Sequence, residues 1–271
     1  MSLPLLLEPA DLAAALNNPD LLIVDVCQPQ VWQQLHIPGA VHINPGELVS
    51  GIAPASGKLP ELARLDAVLS RIGYSADKHI VAYDDEGGGW AGRLIWTLDV
   101  IGHTRYSLLD GGLHSWSKEG HPVTSDIAPV TPTQVKTAIR NPSVIAELDT
   151  VLAALKDPAI KIWDARSREE YLGLRSGSQR AGHIPGAVNL DWLEAMDRSN
   201  NLRLKPLLEL KAKLQALGIK DSDTIITHCQ THHRSGLTYV IAKLLGHKAL
   251  AYHGSWGEWG NDHDVPIDKM A

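Results

Sequence analysis

Phenylalanine is absent from the 271 residues, and only two cysteines occur, Cys27 and Cys229. Two thiols are too few for the disulfide framework on which small secreted domains depend. No stretch approaches the ~18 consecutive apolar residues of a membrane span. The first residues, Met1-Ser2-Leu3-Pro4, carry no basic segment and reach an acid at Glu8, so they do not read as a secretory signal. The cytoplasm is therefore the expected location, with no membrane partner. Positive charge is scarce too: 25 Lys and Arg stand against 31 Asp and Glu, a net charge of −6. Binding to nucleic acid is dominated by cations placed on phosphates, so no nucleic-acid partner is expected, and an anionic substrate must be captured locally. Nothing in the sequence explains the missing phenylalanine.

What is present is an ordinary globular composition, 44% apolar and 21% charged. At ~100–200 residues per domain the length favours two domains, and the sequence repeats itself accordingly. His-Ile-Pro-Gly-Ala stands at residues 36–40 and again at 183–187. Upstream of each copy come a helix-patterned segment, a proline break (Pro19, Pro158), an apolar run and an aspartate (Asp25, Asp164). The second copy carries an eight-residue insertion within residues 174–181, rich in Ser, Gly and Arg, which reads as a loop. Further blocks match at residues 80–83 and 225–228, and at 98–103 and 242–247. Each half closes with a Gly-rich turn bearing Trp, at 111–116 and 254–259.

The expected organisation is a first domain over residues 1–122, a linker over 123–143 and a second domain over 144–271. The linker is drawn from the prolines Pro122, Pro129, Pro132 and Pro142, which disfavour helix and give a sheet no donor. Short β-branched runs such as 21–26 and 224–227 read as buried strands. Residues 236–245 place Leu237, Val240, Ile241, Leu244 and Leu245 on one helical face, with Gly246 where a C-cap belongs. Strand alternating with helix implies an α/β fold, each half a mainly parallel sheet flanked by helices. Sites in such sheets lie beyond the carboxyl ends of the strands.

At one such end the second half reads Thr227-His228-Cys229-Gln230-Thr231-His232-His233-Arg234-Ser235-Gly236, ahead of the amphipathic helix. A thiol facing a helix N-terminus, with Arg and His beside it, ionises well below its usual ~8.5. The backbone N–H groups of such a turn make an anion cradle, and Arg234 adds a fixed cationic fork. The combination suits nucleophilic attack on an anion. Cys27, next to an apolar run, reads instead as a small buried hydrophobe. His228 is expected to pack or hydrogen-bond. Asp164 and His183, with their counterparts Asp25 and His36, read as fold residues that fix the strand-end loops.

The first half is an internal control. At an offset of 144, Cys229 aligns with Asp85 and Arg234 with Trp90, inside Asp84-Asp85-Glu86-Gly87-Gly88-Gly89-Trp90. That loop has neither thiol nor cation, so one domain is expected to work and the other to support it.

With the repeated His-Ile-Pro-Gly-Ala, Asp164-Ala165-Arg166 with Glu170-Tyr171, the Cys-x4-Arg loop and the closing 254–259 segment in order, the chain resembles the two-domain rhodaneses over essentially its whole length. The likeness is greatest to bacterial tandem-domain members with a Cys-Gln-Thr-His-His-Arg loop. The resemblance implies two tandem rhodanese-like domains, a silent N-terminal one, and a thiosulfate sulfurtransferase that needs no metal or other cofactor. Cys229 would be the nucleophile and carry a persulfide. Arg234 would supply electrostatics to the loop or the anion, and Gln230, Thr231, His232, His233 and Ser235 would surround the transferring sulfur. Arg166, Trp192 and Trp256 are further substrate-site candidates, the tryptophans as apolar walls. The partners would be thiosulfate and a thiophilic acceptor such as cyanide, or a protein or low-molecular-weight thiol. His232, His233 and Arg234 are the expected source of positive charge at the pocket mouth, with the histidine charge falling as pH rises through ~6.5.

Four other readings use the same loop. A 3-mercaptopyruvate donor would suit a related member of the family, although the residues after Cys229 match neither of the better-known family loops. A phosphatase or arsenate reductase of this fold uses Cys-x5-Arg, one residue longer and roomier. A metal site would need His228, Cys229, His232 and His233 to converge, whereas neighbours on a tight loop point apart. A non-enzymatic sulfur carrier or redox sensor would use Cys229 alone.

Overall fold

The computed structural model describes residues 3–269. The first half contributes strands β1 (Leu6–Leu7), β2 (Leu21–Asp25), β3 (Val41–His42), β4 (His79–Tyr83) and β5 (Tyr106–Leu109), with helices α1 (Pro9–Ala15), α2 (Pro29–Gln34), α3 (Leu62–Arg71), α4 (Gly89–Val100) and α5 (Gly112–Lys118). The second contributes β6 (Ile145–Ala146), β7 (Ile160–Asp164), β8 (Val188–Asn189), β9 (Met196–Asp197), β10 (Arg203–Leu204), β11 (Thr224–His228) and β12 (Ala249–Tyr252). Its helices are α6 (Leu148–Ala154), α7 (Arg168–Leu172), α8 (Leu207–Ala216), α9 (Arg234–Leu244) and α10 (Ser255–Trp259).

Two five-stranded sheets result, ordered β1-β5-β4-β2-β3 and β6-β12-β11-β7-β8, with all their pairings parallel. Position by position the two orders are the same, as a repeated sequence requires. Parallel strands demand crossovers, and the crossover helices cover both faces, so the central strands carry short buried apolar stretches, residues 80–83 in β4 and 225–226 in β11. An antiparallel pair, β9 and β10, is added only in the second half. Residues 125–141 carry no regular structure and run along the first domain, where the Thr133 and Arg140 N–H groups donate to the Ser70 and Val100 carbonyls.

Each outer face has its own small core: Leu12, Val81, Tyr83 and Trp116 in the first half; Val151, Ile226, Tyr252 and Trp259 in the second. A third, larger core is shared between the halves, with Leu94, Ile95 and Trp96 of α4 in the same cluster as Leu237, Tyr239 and Val240 of α9. The two helices cross where each carries a glycine. A Cβ on Gly92 would strike the Gly236 carbonyl, and one on Gly236 would strike the Gly89 carbonyl and come within 2.5 Å of the Arg93 nitrogen. Equivalent helices packed against each other bring the loops in front of them face to face, and those loops are the ones singled out above. No helix among the described residues is long and apolar enough to cross a membrane.

Candidate active site

Strand β11 runs between β7 and β12, with His228 registered against Asp164. The strand thus extends one residue past the expected 224–227, and α9 begins two residues before the expected Gly236. The chain turns at residues 229–233, with His232 in a left-handed conformation at φ 53°. Ser255, at the head of α10, has the same φ. Non-glycine residues held there are uncommon and concentrate where surrounding structure imposes them. The imposition is visible. The Cys229 N–H donates to Ser255 Oγ at 3.3 Å, and the Cys229 and Gln230 carbonyls accept from the Trp256 and Gly257 N–H groups at 2.9 and 2.8 Å. Ser255, Trp256 and Gly257 therefore clamp the base of the loop, a role that sequence reasoning missed.

Cys229 is almost fully buried at the edge of the large shared core, with Ser235 and the Arg234 charge as its polar neighbours. Burial pushes its thiol up, but the Arg234 charge, hydrogen bonds from the Ser235 side chain and backbone, and the His233 ring outweigh it, leaving the thiol more acidic than usual. Cys27 is the opposite case: burial first, then the Asp25, Asp85 and Asp84 charges, drives its thiol far up, and it stays in the first outer core as expected.

Arg234 points at Glu170, donating from its two terminal nitrogens at 2.6 and 2.9 Å. Glu170 is the third residue of α7 and is held in place by a reciprocal cap with Ser167. Burial opposes its charge, yet Arg234 and the Ser167 bonds bring Glu170 down to about 2. The cation is thus permanent but already paired.

Of the histidines, His232 departs from the expected charged mouth. His232 is fully buried, its ring edge-on to Trp96 of the first domain at 4.7 Å, and burial followed by Arg93 and the neighbouring histidines drives its ionisation far below the usual range. It is neutral, and its Nδ1 lies 2.7 Å from Ser235 Oγ. A Ser235 hydroxyl that donates to sulfur must receive its own bond from His232, which places the proton on Nδ1. His233 reaches across to the first domain, bonding Glu86 and stacking on Trp90 at 4.3 Å. His228 is buried with Nε2 3.6 Å from Asp164, and burial takes it down to about 4. The three rings take different partners, His228 Nδ1 lying 3.2 Å from the Cys229 carbonyl, and among the described residues no group of three or more His, Cys, Asp or Glu side chains is placed to hold a metal ion.

Two substrate-site candidates lie beneath the surface instead. Arg166 is fully buried, chelated by Asp164 and the Gly182 carbonyl and stacked 4.2 Å above the Trp256 ring. Trp256 donates from its indole to Ser176 and the Arg180 carbonyl, under the inserted 174–181 loop. Only Trp192 approaches the mouth, 5.7 Å from the His233 ring. Gln230 turns toward the insertion, donating to Ser178 Oγ at 3.1 Å, and the Thr231 backbone is pressed against Gly57 of the first domain, where a Cβ would collide with its carbonyl. Asp164, His183, Asp25 and His36 hold neighbouring loops as expected: His183 Nδ1 bonds the Tyr171 carbonyl and His36 Nδ1 the Trp32 carbonyl, both at 2.8 Å.

The alignment of the two loops needs a one-residue correction. Tyr83 and His228 close equivalent strands and pair with the equivalent Asp25 and Asp164, which sets the offset there at 145 and makes Asp84 the counterpart of Cys229 and Gly89 that of Arg234. One more residue in α4 than in α9 restores 144 further along. Asp84 shows what this loop shape does. Its Oδ1 accepts from the N–H groups of Glu86, Gly87 and Gly88 at 3.1, 3.1 and 2.8 Å, and Oδ2 from Ala91 at 3.0 Å. The supporting domain fills its own anion cradle with a carboxylate.

The model of the rhodanese-like domain matches residues 8–119 and 147–262. A thiosulfate sulfurtransferase of Azotobacter vinelandii is 44% identical over 268 residues, covering 98% of both chains. One from Pseudomonas aeruginosa is 43% identical, covering 98% of this chain and 97% of that one. The sulfur carrier protein TtuD of Thermus thermophilus is 32% identical over 94% of this chain and 93% of its own. Among solved structures, the anaerobic ergothioneine biosynthesis enzyme from Chlorobium limicola superposes with a TM-score of 0.84 at 21% identity; this chain is covered to 94% and spans 66% of that one, a likeness of fold. On the family match in both halves and the full-length relatives, the chain belongs to the rhodanese family, as a tandem of two rhodanese-like domains.

Proposed function

We propose that the chain is a thiosulfate sulfurtransferase in which Cys229 carries the sulfur. The observation that bears most weight is the pairing of an acidified, buried thiol with a loop whose counterpart, in the same chain, holds an anion through four backbone N–H groups. In the first half-reaction the Cys229 thiolate attacks the outer sulfur of thiosulfate. A Cys–S bond to that sulfur forms, the sulfur–sulfur bond of thiosulfate breaks, and sulfite departs with the electron pair. In the second, cyanide attacks the terminal sulfur of the persulfide, leaves as thiocyanate and returns the pair to Cys229. Dividing one transfer into two is covalent catalysis and gives ping-pong kinetics.

The first-domain loop supports a role as wall rather than centre, since its cradle is self-occupied. Arg234, tied to Glu170, serves as loop anchor and fixed cation. Ser235 bonds the sulfur, while Gln230, Thr231, His232 and His233 shape the loop through their outward contacts. A thiol, small or protein-borne, is chemically equivalent to cyanide as acceptor in the second step. Replacing Cys229 by Ser tests the reading: thiosulfate:cyanide transfer should vanish, and the one-sulfur mass gain on the Cys229 peptide of thiosulfate-treated protein should vanish with it. Residual transfer by Cys229→Ser overturns it.

A further inference from the structure

Arg93 lies on α4 of the supporting domain, and neither its motif nor its place in the repeat marks it. It is fully buried, yet among the described residues no carboxylate forms an ion pair with it. Its terminal nitrogens donate to two neutral carbonyls, Gly57 at 2.6 Å and Leu48 at 2.8 Å, the guanidinium stacks 4.6 Å from the Trp96 ring, and its Nε is buried with no partner. A buried cation without a counter-charge is costly, and buried charges are ordinarily paired. The surroundings locate the missing anion. Gly57, held by Arg93, presses on the Thr231 backbone; Trp96, under Arg93, meets His232; and the Arg93 backbone lies against Gly236 in the first turn of α9. Two of these contacts fall on the turn that carries Cys229 and the third on the helix that follows it.

We propose that Arg93 is a positioning residue for sulfur transfer: the supporting domain's buried guanidinium is the counter-ion of the anionic forms of Cys229, thiolate and persulfide. The inference rests on Cys229 being the nucleophile. Burial lowers Arg93 to about 9, and the negative charge of Cys229 is what opposes that fall. The other charged or titratable groups facing this region are Arg234 and His233 beside the sulfur, and the neutral His232 and His253 beside Arg93, with His253 bonded to Glu147. Arg234 is satisfied by Glu170, so Arg93 is the buried cation left with capacity for a second negative charge.

The test is the pH dependence of Cys229 alkylation by iodoacetamide, read by mass spectrometry on the Cys229 peptide of the full chain. Buried Cys27 serves as the unreactive internal reference. Arg93→Gln, which keeps a hydrogen-bonding amide but loses the charge, should move the midpoint up by about one pH unit, the ~1.4 kcal/mol of a partly screened unit charge. Arg93→Lys, which keeps the charge but not both carbonyl bonds, should stay near the parent midpoint. An unchanged midpoint in Arg93→Gln overturns the proposal, because a residue that merely clamped Gly57 and Leu48 would leave the thiol's titration alone. If Arg93→Gln does not fold, the unsubstituted chain answers: the protected Arg93 Nε–H resonance should shift when Cys229 is carbamidomethylated, and a stationary resonance overturns it. Failure of the parent Cys229 to alkylate below the usual thiol range is a different result, which removes the nucleophile reading and this one together.

Discussion

Arg234 and Glu170 meet through two parallel hydrogen bonds of 2.6 and 2.9 Å, so the cation of the Cys-x4-Arg loop faces a carboxylate on α7. A fork-to-fork pair of this kind fixes orientation as well as charge. It ties the helix that follows Cys229 to the helix that follows β7.

Acid stability should report this pair. Glu170 sits at about 2 in the folded chain, below the ~4.3 of an unperturbed glutamate, so its contribution is fully present above pH ~4.3 and is lost as pH falls toward 2. Glu170→Gln should remove that slope, which amounts to at most about 3 kcal/mol. Urea unfolding of both proteins from about pH 5 down to about pH 2, across the window, measures the difference; equal slopes would discount the pair. Arg234→Lys, a point charge in place of a fork, should lower kcat/KM by about 10²-fold through misplacement of the loop.

Ser235 links the neutral His232 to the sulfur, and its hydroxyl favours the thiolate. Ser235→Ala should raise the pH midpoint of Cys229 alkylation by about one unit, the ~1.4 kcal/mol of one hydrogen bond to a charged group. Activity below that midpoint should fall in proportion.

Glu86 puts a first-domain carboxylate on His233 at the mouth, both side chains partly exposed. Glu86→Gln should change unfolding free energy by less than ~1 kcal/mol, as exposed pairs do. Removing a negative charge from the approach of a dianionic donor should lower the KM for thiosulfate a few-fold, and added salt should erase the difference. A KM that rises would show that the pair holds His233 for binding instead.

Gly236 has no room for a methyl group, with the Gly89 carbonyl and the Arg93 nitrogen where it would go. Gly236→Ala should cost ~1–3 kcal/mol in urea unfolding, the usual penalty for overfilling a packed contact. It should also lower kcat, because the first turn of α9 moves with the crossing.

Much of this was legible from residue order. The repeat, the parallel α/β layers and the contrast between an acidified and a suppressed thiol all follow from local pattern, since strand and helix periodicity and the thiol's immediate neighbours are sequence-local properties. The insertion at 174–181 was legible as a loop, but its use as the cover for Gln230 and Trp256 was not. Arg166 illustrates the limit: an arginine two residues after a strand-end aspartate can face a ligand or its own aspartate, and only burial decides that it does the latter.

The sequence by itself determined that there are two copies of one fold and which copy carries the Cys-x4-Arg loop, because duplication preserves periodicity and a missing thiol is visible in the text. Only the tertiary structure decided what the first copy touches. Equivalent helices cross at glycines, which turns the two loops toward each other. That contact sets Trp96 against His232, Glu86 and Trp90 against His233, and Arg93 against Gly236 of α9. Charges that looked distant along the chain, the acidic loop and the reactive one, become neighbours because the domain pairing places them there.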